Sequence, residues 1–564
     1  MLNCSSCIML AVAVGMSVGA VSKVFANPLY ASRFSGASTS QWECASGEVS
    51  LVDGEKFGER ALVVYGRKGA KDTYWGLMSP LFSLKGGTGF VLRLRYASSV
   101  DMARPEGHKG SYETCVEWAD AEGVPIGECF GFGWRACTNE WSDMIVAGRI
   151  PARARSARIR LGADSPNIPE DGFVALSGIS FESMNPDSDG TPCSLREDGM
   201  VLVGGRPFFP IGLYSVCKRE FNSFNFDKAL RDIAAAGFNT VHTYDSVRNE
   251  SFREFLDGAD KYGLKAFVSP RLRNRRLSGE AAGNILAERH HPCLLGWYIG
   301  DDTHWNNTPD QLLKDAETCK ALDCRRLTLQ ADMPGPRFFG HYSDFVNCTD
   351  VMLLEMYPVW SVKPDGFEIP SIIRDMKTAM NDQRRWCGRR RSVWSIIQHF
   401  QGWKRKRFPT FDELRAMTYL SIIHGAKGVT WYTYGGSDKK ETYGVTHTPA
   451  TWSQICRMAK ELSTIHDDLA SFDAVGGPVA GEVTTGPKTD TMRFPSVSCL
   501  LKEGVGGKIL LAANSSNAEV HAKICVPAGP TGRAEVLFEN RLLNVDRNLE
   551  DDFGPYAVHV YRLK

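Results

Sequence analysis

The sequence lacks a net charge of either sign. Its 564 residues include 66 Lys and Arg against 65 Asp and Glu, so the formal charge at pH 7 is only +1. Nucleic acids and acidic membrane surfaces select proteins with an excess of positive charge, so neither is expected as a partner. Hydrophobic residues make up 43% of the chain and charged residues 23%, which is typical of a soluble globular protein, and the length predicts several domains.

Motifs that bind cofactors or metals are also missing. The chain has no P-loop, no dinucleotide-binding glycine motif behind a strand, and neither a pair of CxxC elements nor the Cys/His spacing of a zinc site. We therefore predict no cofactor and no metal. Of the 16 cysteines, all but Cys4 and Cys7 are spread singly from Cys44 to Cys525, and the sequence leaves their disulfide pairing open.

Long apolar runs are absent except at the N-terminus. Residues 8–21, IMLAVAVGMSVGAV, form an apolar segment, and Val24 and Ala26 supply the small residues that signal peptidase requires. Residues 1–26 are predicted to be a cleaved signal peptide, which makes the protein secreted or periplasmic, with no membrane span in the mature chain. The alternative is a single membrane anchor of marginal length, since no Lys or Arg precedes the run.

Short alternating strands dominate both ends of the mature chain. Between 27 and 190 they include ERALVVYG, GFVLRLRYAS and GFVALSGISF, separated by turn-forming residues. This pattern predicts an antiparallel β-sandwich or jelly roll. Residues 475–564, with GKILLAANSS and RAEVLFEN, predict a second, smaller β-sandwich.

The middle of the chain, residues 200–470, alternates apolar strands with amphipathic helices. Gly237, Gly263 and Gly425 stand where a glycine ends a helix before the next strand. Eight such units predict a (β/α)8 TIM barrel flanked by the two sandwiches. The predicted barrel strands are 208–216, 238–245, 264–270, 294–302, 326–332, 351–358, 392–400 and 428–436.

The active site of such a barrel lies at the C-terminal ends of its strands. The side chains that end the predicted strands are acids, aromatic residues and polar residues: His242, Tyr244, Asp245, Asp301, Asp302, Asp332, Glu355, Tyr357, Gln398, His399, Trp431, Tyr432 and Tyr434. Acids mixed with aromatic rings suit glycoside hydrolysis, in which one acid protonates the leaving oxygen and a second carboxylate attacks or activates water.

The acids at the strand ends are expected to have different roles. Asp245 and Asp332 are expected to cap helices, because Asp is favoured where a strand turns into a helix. Asp301 and Asp302 are neighbours and cannot both be caps, and two like charges held close raise one pKa, as a general acid requires. Trp297 and Tyr298 lie deeper in their strand and are expected in the core.

Four segments resemble barrel strands of clan A glycoside hydrolases of the secreted, multidomain bacterial type. GWYIGDDTHW (296–305) resembles the strand-four motif in which Asn or Asp precedes the Glu acid/base, and LLEMYPVW resembles the strand-six Tyr-Pro segment. SIIQHFQGW and ELRAMTYLSIIHGAKGVTWYTYGG resemble strands seven and eight, and the N-terminal region resembles a carbohydrate-binding module. The resemblance implies that Asp302 is the acid/base and that Asp301 contacts substrate or tunes Asp302.

Two departures from that pattern leave the second carboxylate open. Asp302 replaces the expected Glu, and strand seven carries Gln398 where clan A enzymes have the nucleophilic Glu. A neutral amide cannot attack an anomeric carbon. Glu355 on strand six is the best substitute, provided that the strand directs its side chain to the mouth.

The other strand-end residues are predicted to bind substrate, and two basic loops suggest its charge. The loops PRLRNRR and GWKRKRF follow strands three and seven, and they favour an anionic glycan. The alternative is a solvated rim with acids as partners. The predicted substrate-binding residues are His242, Tyr244, Tyr357, Gln398, His399, Trp431, Tyr434, Arg273 and Lys404.

Three functions fit these residues. The first is a secreted glycoside hydrolase that cleaves O-glycosidic bonds of a polysaccharide or oligosaccharide. The second is a non-catalytic carbohydrate-binding protein on a degenerate barrel, which Gln398 favours. The third, a transglycosylase, would use the same side chains.

Overall fold

The computed structural model describes most of the chain outside the N-terminus and several loops. The predicted signal peptide, residues 1–26, lies outside the described residues. Described are 30–32, 42–46, 48–52, 61–66, 68–69, 76–99, 114–131, 141–162, 170, 172–184, 190–217, 225–244, 250–272, 277, 279–337, 340–360, 368–385, 391–402, 405–436, 442–474, 477–526 and 532–563.

The N-terminal region forms two antiparallel sheets, as the alternating pattern predicts. Phe90 and Phe181 of one sheet stack with ring centroids 5.1 Å apart, and Phe90 meets Trp118 of the other sheet edge-on at 5.4 Å. The apolar faces of the two sheets therefore enclose a common core. The strands are β1 Tyr30–Ser32, β2 Glu43–Ser46, β3 Glu48–Val52, β4 Ala61–Tyr65, β5 Gly76–Met78, β6 Phe82–Ser83, β7 Gly89–Ser98, β8 Cys115–Ala119, β9 Pro125–Gly131, β10 Ser142–Arg149, β11 Ser156–Gly162 and β12 Phe173–Met184.

The strand orders show how these sheets are built. In the described residues one sheet runs β10-β7-β12-β4-β3, with β1 beside β12, and the other runs β2-β5-β11-β8-β9, with β6 beside β11. The neighbouring strands from β7 to β3 in the first sheet are antiparallel, as are β1 beside β12 and the neighbouring strands of the second sheet. A short antiparallel sheet that the sequence did not suggest follows: β13 Cys193–Leu195, β14 Val201–Val203 and β15 Arg206–Phe208.

The middle region is a closed parallel barrel, which confirms the predicted fold. The strands β16-β17-β18-β19-β20-β23-β24-β25 close the barrel, and each lies within its predicted range. Leu195 and Val201 of the short sheet pack into the same core as the barrel strands. The strands are β16 Ile211–Leu213, β17 Thr240–Thr243, β18 Lys265–Val268, β19 Leu294–Asp301, β20 Leu327–Asp332, β21 Pro336–Arg337, β22 Gly340–His341, β23 Val351–Met356, β24 Ser392–Gln398 and β25 Val429–Tyr432.

Helices connect the barrel strands and cover the outside of the barrel. Gly237, Gly263 and Gly425 have φ of 98°, 71° and 116°, the left-handed conformation that ends a helix. The helices are α1 Phe226–Ala235, α2 Glu250–Lys261, α3 Gly279–Glu288, α4 Thr303–Asn306, α5 Pro309–Leu322, α6 Ser371–Arg385, α7 Phe411–Ile423, α8 Pro449–Thr464 and α9 His466–Leu469. No helix among the described residues is long and apolar enough to cross a membrane.

The C-terminal region adds two more sheets. In the described residues one runs β26-β28-β29-β34-β31-β32 and the other β27-β30-β33, and their apolar side chains share one core. The strands are β26 Val479–Ala480, β27 Glu482–Thr485, β28 Val497–Lys502, β29 Ile509–Asn514, β30 Val520–Cys525, β31 Gly532–Leu537, β32 Arg541–Val545, β33 Asn548–Phe553 and β34 Val558–Leu563.

A buried ion pair joins this C-terminal region to the barrel helices. Arg415 on α7 donates from Nε to Glu461 on α8 at 2.8 Å, and its Nη1 donates to the backbone carbonyl of Val558 on β34. Tyr419 also donates to Glu461, at 2.9 Å. Because the charges are largely removed from water, each needs its partner.

We expect Glu461→Gln to destabilise the protein strongly. The substitution leaves the Arg415 charge buried without its carboxylate, which costs about 3 kcal/mol or more. The measurement is the free energy of unfolding from urea titration. As a control, Asp232→Asn breaks the exposed Lys228–Asp232 pair of 2.6 Å and should change stability by less than about 1 kcal/mol. Equal effects of the two substitutions would contradict a special role for the buried pair.

Candidate active site

Asp301 reaches the barrel mouth because β19 contains an irregularity. The pairing of β19 with β20 shifts between Tyr298 and Gly300, so the simple alternation of faces is interrupted there. Asp301 is then paired with Ala331, and both Ala331 and Tyr298 belong to the barrel core. Tyr298 and Asp301, three residues apart, therefore face the same side, and the Tyr298 hydroxyl donates to Asp301 Oδ1 at 2.6 Å.

Asp302 begins the short helix α4 in a left-handed conformation. Its φ is 49° and its ψ is 50°, and its side chain makes no capping hydrogen bond. Asp and Asn tolerate this conformation better than most residues. The turn directs the chain away from the strand at once, which explains why the apolar run of β19 stops at this pair of acids.

Glu355 faces the barrel interior at the end of β23. Val351, Leu353 and Tyr357 belong to the barrel core, and Glu355 lies in the same alternation and pairs with Ile396 of that core. The sequence left this orientation open, and the structure shows that it points inward. On the side of β23 that faces the barrel interior, Glu355 is the acid that follows the apolar side chains of Val351 and Leu353.

The surroundings of Glu355 favour its protonated form. Burial raises the pKa of Glu355 well above its usual range, and the negative charges of Asp302 and then Asp301 raise it further. A hydrogen bond from Tyr357 acts in the opposite direction but is a smaller effect. The charges of both aspartates therefore act on Glu355 across the mouth and favour its protonated form.

A ring of tyrosines surrounds the acids. Tyr214, at the end of β16, donates its hydroxyl proton to the Tyr298 hydroxyl at 2.6 Å. The rings of Tyr244 and Tyr432 lie 5.6 and 5.8 Å from that of Tyr214. Burial raises the pKa of Tyr298 well above 10, and the charge of Asp301 adds to this, so Tyr298 remains a proton donor.

His242 lies beneath these tyrosines. Its ring stacks between Tyr214 at 4.0 Å and Phe267 at 4.9 Å, and the side chain is fully buried. The backbone N–H of Ser215 donates to its Nδ1 at 3.4 Å. His242 therefore supports the tyrosine ring from below, and its predicted contact with substrate stays a prediction.

Gln398 faces the barrel interior, but another part of the chain uses its amide. Its Oε1 accepts from the Val359 N–H at 2.8 Å and its Nε2 donates to the Val359 carbonyl at 3.0 Å. The side chain is fully buried. Gln398 thus holds the segment that follows Glu355, in the position where the resemblance implied a nucleophile.

Three predicted substrate-binding residues point away from the acids. His399 donates from Nε2 to the Thr451 carbonyl on α8 at 3.2 Å, and burial lowers its pKa to about 4. The ring centroids of Trp431 and Phe238, a residue that follows α1, are 5.8 Å apart, and those of Tyr434 and Trp452 on α8 are 6.2 Å apart. All three side chains pack between barrel and helices. His399 and Trp431 alternate with Gln398 and Tyr432, whose side chains face the barrel interior, whereas Tyr434 lies beyond the end of β25.

Asp332 holds the loop that carries Asp301 and Asp302. Its carboxylate is fully buried and accepts from the Thr303 hydroxyl, from the His304 backbone N–H at 3.1 Å and from Gln330 Nε2 at 3.2 Å. It also contacts His304 Nδ1 at 2.5 Å. Asp332 therefore caps α4, a helix other than the one that follows its own strand. Asp245 lies outside the described residues.

Exposed and cationic side chains complete the mouth. Trp305 and Trp360 are 40% and 41% exposed and directly follow the two strand ends that carry the acids. The Arg405 guanidinium lies 3.9 Å from the Trp360 ring centroid and 5.5 Å from that of Tyr357. Arg273 and Lys404 lie outside the described residues.

The strand-end rule does not select three of these residues. Tyr214 lies within the first predicted strand, 208–216, and not at its end. Trp305 and Trp360 are the last residues of GWYIGDDTHW and LLEMYPVW, three and five residues after an acid. Tyr298 lies in the core, as predicted, and the irregularity in β19 also brings its hydroxyl to Asp301.

The three acids do not form a metal site. Within the described ranges, no group of three or more His, Cys, Asp or Glu side chains is arranged to hold a metal ion. The arrangement can donate a proton from Glu355 and present carboxylate oxygens from Asp301 and Asp302 across the same mouth.

Comparison with known proteins gives only loose similarities. No protein-family model matches the chain, and no curated protein matches it. Among solved structures, a glycoside hydrolase family 5 protein from Bacteroides vulgatus has 14% identity and a TM-score of 0.44, covering 66% of this chain and 92% of its own. An α-amylase from Geobacillus thermoleovorans in complex with acarbose has 9% identity and a TM-score of 0.43, covering 66% and 99%.

A third similar structure is the endo-β-1,4-mannanase from Thermotoga petrophila. It has 10% identity and a TM-score of 0.34 and covers 62% of this chain and 91% of its own. At these values the chemistry of the present chain rests on its own side chains.

We expect Gln398→Glu to destabilise the protein without adding activity. A carboxylate at this position faces the Val359 carbonyl and loses the amide donor, which costs about 2 kcal/mol when buried. The new carboxyl would have a raised folded-state pKa. The loss should therefore be small near pH 4, where the group is protonated, and full at pH 7.

The measurement is the urea midpoint at the two pH values. Gln311→Glu is a matched control, because Gln311 Oε1 accepts the exposed Thr308 N–H in a capping box where Glu serves equally well. If both substitutions left the urea midpoint unchanged at pH 7, the structural role assigned to Gln398 would be wrong.

Proposed function

We propose that this protein is a glycoside hydrolase that cleaves O-glycosidic bonds at the mouth of its barrel. The observation that carries the proposal is that Glu355, on the inner face of β23, meets Asp301 and Asp302 from the end of β19, where burial and their charges raise its pKa. Glycoside hydrolysis needs a carboxylic acid that is still protonated near neutral pH and a second carboxylate that is not. A purely structural cluster gains nothing from placing three acids together, because their charges repel one another.

In this proposal Glu355 donates its proton to the leaving oxygen. Asp301 or Asp302 supplies the carboxylate that attacks the anomeric carbon or takes a proton from the attacking water. This reverses the roles implied by the sequence resemblance, which gave the acid/base role to Asp302. The charge of Asp302 instead keeps the proton on Glu355.

The rim side chains support a carbohydrate as the substrate. In the described part of the chain, Trp305 and Trp360 are the tryptophans with large exposed surfaces, and both flank the acids. Exposed aromatic rings offer flat apolar faces of the kind on which sugar rings stack. Arg405 beside Trp360 adds a positive charge at the rim and favours acidic sugars.

The finer parts of the proposal come from the sequence. They are export through the signal peptide and a carbohydrate-binding role for the N-terminal sandwich. The second candidate is a non-catalytic carbohydrate-binding protein. The two hydrogen bonds that occupy Gln398 favour it, because they leave strand seven without a nucleophile.

The pH dependence of activity tests the role of Glu355. Activity should fall as pH rises through the raised pKa of Glu355, because the protonated form is the active one. Glu355→Gln should lower kcat by roughly 100- to 10,000-fold. Asp302→Asn removes a negative charge beside Glu355, so the alkaline limb of the profile should move to lower pH.

The measurement is release of reducing ends from neutral and acidic polysaccharides between pH 4 and 9. Glu550→Gln, an exposed acid on β33, should leave the profile unchanged. If wild type binds a polysaccharide but releases no reducing ends from any of them, the non-catalytic alternative is correct. An alkaline limb that Asp302→Asn does not move would reject the charge coupling.

A further inference from the structure

We infer that Asp301 is the carboxylate that acts opposite Glu355, and that Tyr298 and Tyr214 position it through a chain of two hydrogen bonds. The inference rests on the proposed function and deepens it, because it assigns different roles to two adjacent acids that the sequence does not distinguish. Asp302 then has a different task, which is to keep Glu355 protonated.

The direction of the hydrogen bonds defines the chain. A carboxylate can only accept, so the Tyr298 hydroxyl must donate to Asp301 Oδ1, at 2.6 Å. The Tyr298 oxygen is then the acceptor for the Tyr214 hydroxyl, also at 2.6 Å. Each donor strengthens the next, because a hydroxyl that accepts a hydrogen bond becomes a better donor.

Burial makes this chain rigid. Tyr214 and Tyr298 are 1% and 2% exposed, and the Tyr214 ring stacks on His242, which stacks in turn on Phe267. The hydroxyls therefore have fixed positions before any substrate arrives. Such preorganised donors are how a barrel site holds a reacting carboxylate in one orientation.

Asp301 and Asp302 differ in backbone support. Asp301 is the last residue of β19 and is paired with Ala331 in the barrel sheet. Asp302 lies beyond the strand, in the left-handed turn that begins α4. Asp302 also exerts the larger electrostatic effect of the two on Glu355. The first acid is thus fixed by the sheet and the tyrosines, whereas the second acts by its charge.

The reaction balances with these groups and water. The bond between the anomeric carbon and the leaving oxygen breaks, and the leaving oxygen takes the proton of Glu355. The anomeric carbon bonds either to the oxygen of a water whose proton passes to Asp301 or to an oxygen of Asp301. In the second case water then attacks the anomeric carbon, the bond to Asp301 breaks, and the proton of the water passes to Glu355. Tyr298 keeps its proton throughout, because burial and the charge of Asp301 raise its pKa well above 10.

Tyr-to-Phe substitutions test the chain on a substrate that wild type hydrolyses. Tyr298→Phe should lower kcat up to roughly 100-fold with little change in KM, because it misaligns a reacting group. Tyr214→Phe should lower kcat by roughly 2- to 10-fold, the effect of one hydrogen bond. Loss of the donor makes the acting carboxylate easier to protonate, so the acidic limb of the pH profile should move to higher pH in Tyr298→Phe.

Tyr419→Phe is the matched control. Tyr419 is fully buried in the same barrel and donates to the carboxylate of Glu461 at 2.9 Å, away from the mouth. It should lose stability as the other variants do, but its pH profile should match wild type. If Tyr298→Phe left both kcat and the acidic limb of the pH profile unchanged, the inference would be overturned. The proposed function would still stand in that case, because it depends on the activity of the wild type.

Chemical rescue separates the two acids directly. With a 2,4-dinitrophenyl glycoside, whose leaving group needs no proton, azide should restore turnover to Asp301→Gly and form a glycosyl azide. Azide should not restore turnover to Asp302→Gly. Rescue of Asp302→Gly alone would assign the acting carboxylate to Asp302 and overturn the inference. Absence of wild-type turnover on every glycoside and polysaccharide would overturn the inference together with the proposed function.

Discussion

Repulsion between like charges at the barrel mouth is the constraint on which the site depends. Asp301, Asp302 and Glu355 are brought together from two strand ends, and burial of Glu355 makes it costly for that group to be ionised beside the two aspartates. The repulsion is smaller when Glu355 is protonated, and its pKa is raised accordingly. A carboxyl group with a raised pKa beside other carboxyl oxygens is what acid and base groups in one site require.

The surrounding structure holds the acids against this repulsion. Asp332 ties down the first turn after the Asp301–Asp302 pair, and the tyrosines fix Asp301 from inside the barrel. Arg405 places a positive charge near Glu355 from the next loop along the rim. These contacts restrict the positions of the acids. The acids therefore remain close enough for their charges to interact.

The sequence predicts the barrel well and its mouth only partly, for a physical reason. The barrel is predicted by eight apolar strands and three glycines that end helices. Because the strand–helix unit repeats along the chain, each repeat is separate evidence for the same fold. The facing of a side chain depends on strict alternation, which β19 breaks between Tyr298 and Gly300. Ranking strand ends by chemistry therefore selects the acids together with Trp431 and His399, whose side chains face the helices.

Gln398 shows most clearly why a motif comparison alone falls short. The resemblance reads this position as a missing nucleophile, but its two hydrogen bonds hold Val359, four residues beyond Glu355. An ionised carboxylate at 398 could not donate to the Val359 carbonyl and would add a further negative charge to the mouth. The amide therefore suits its position, because it holds the segment that follows the acid of strand six. In the described part of the chain, strands four and six bring carboxyl groups to the mouth, and strand seven brings an amide with a structural role.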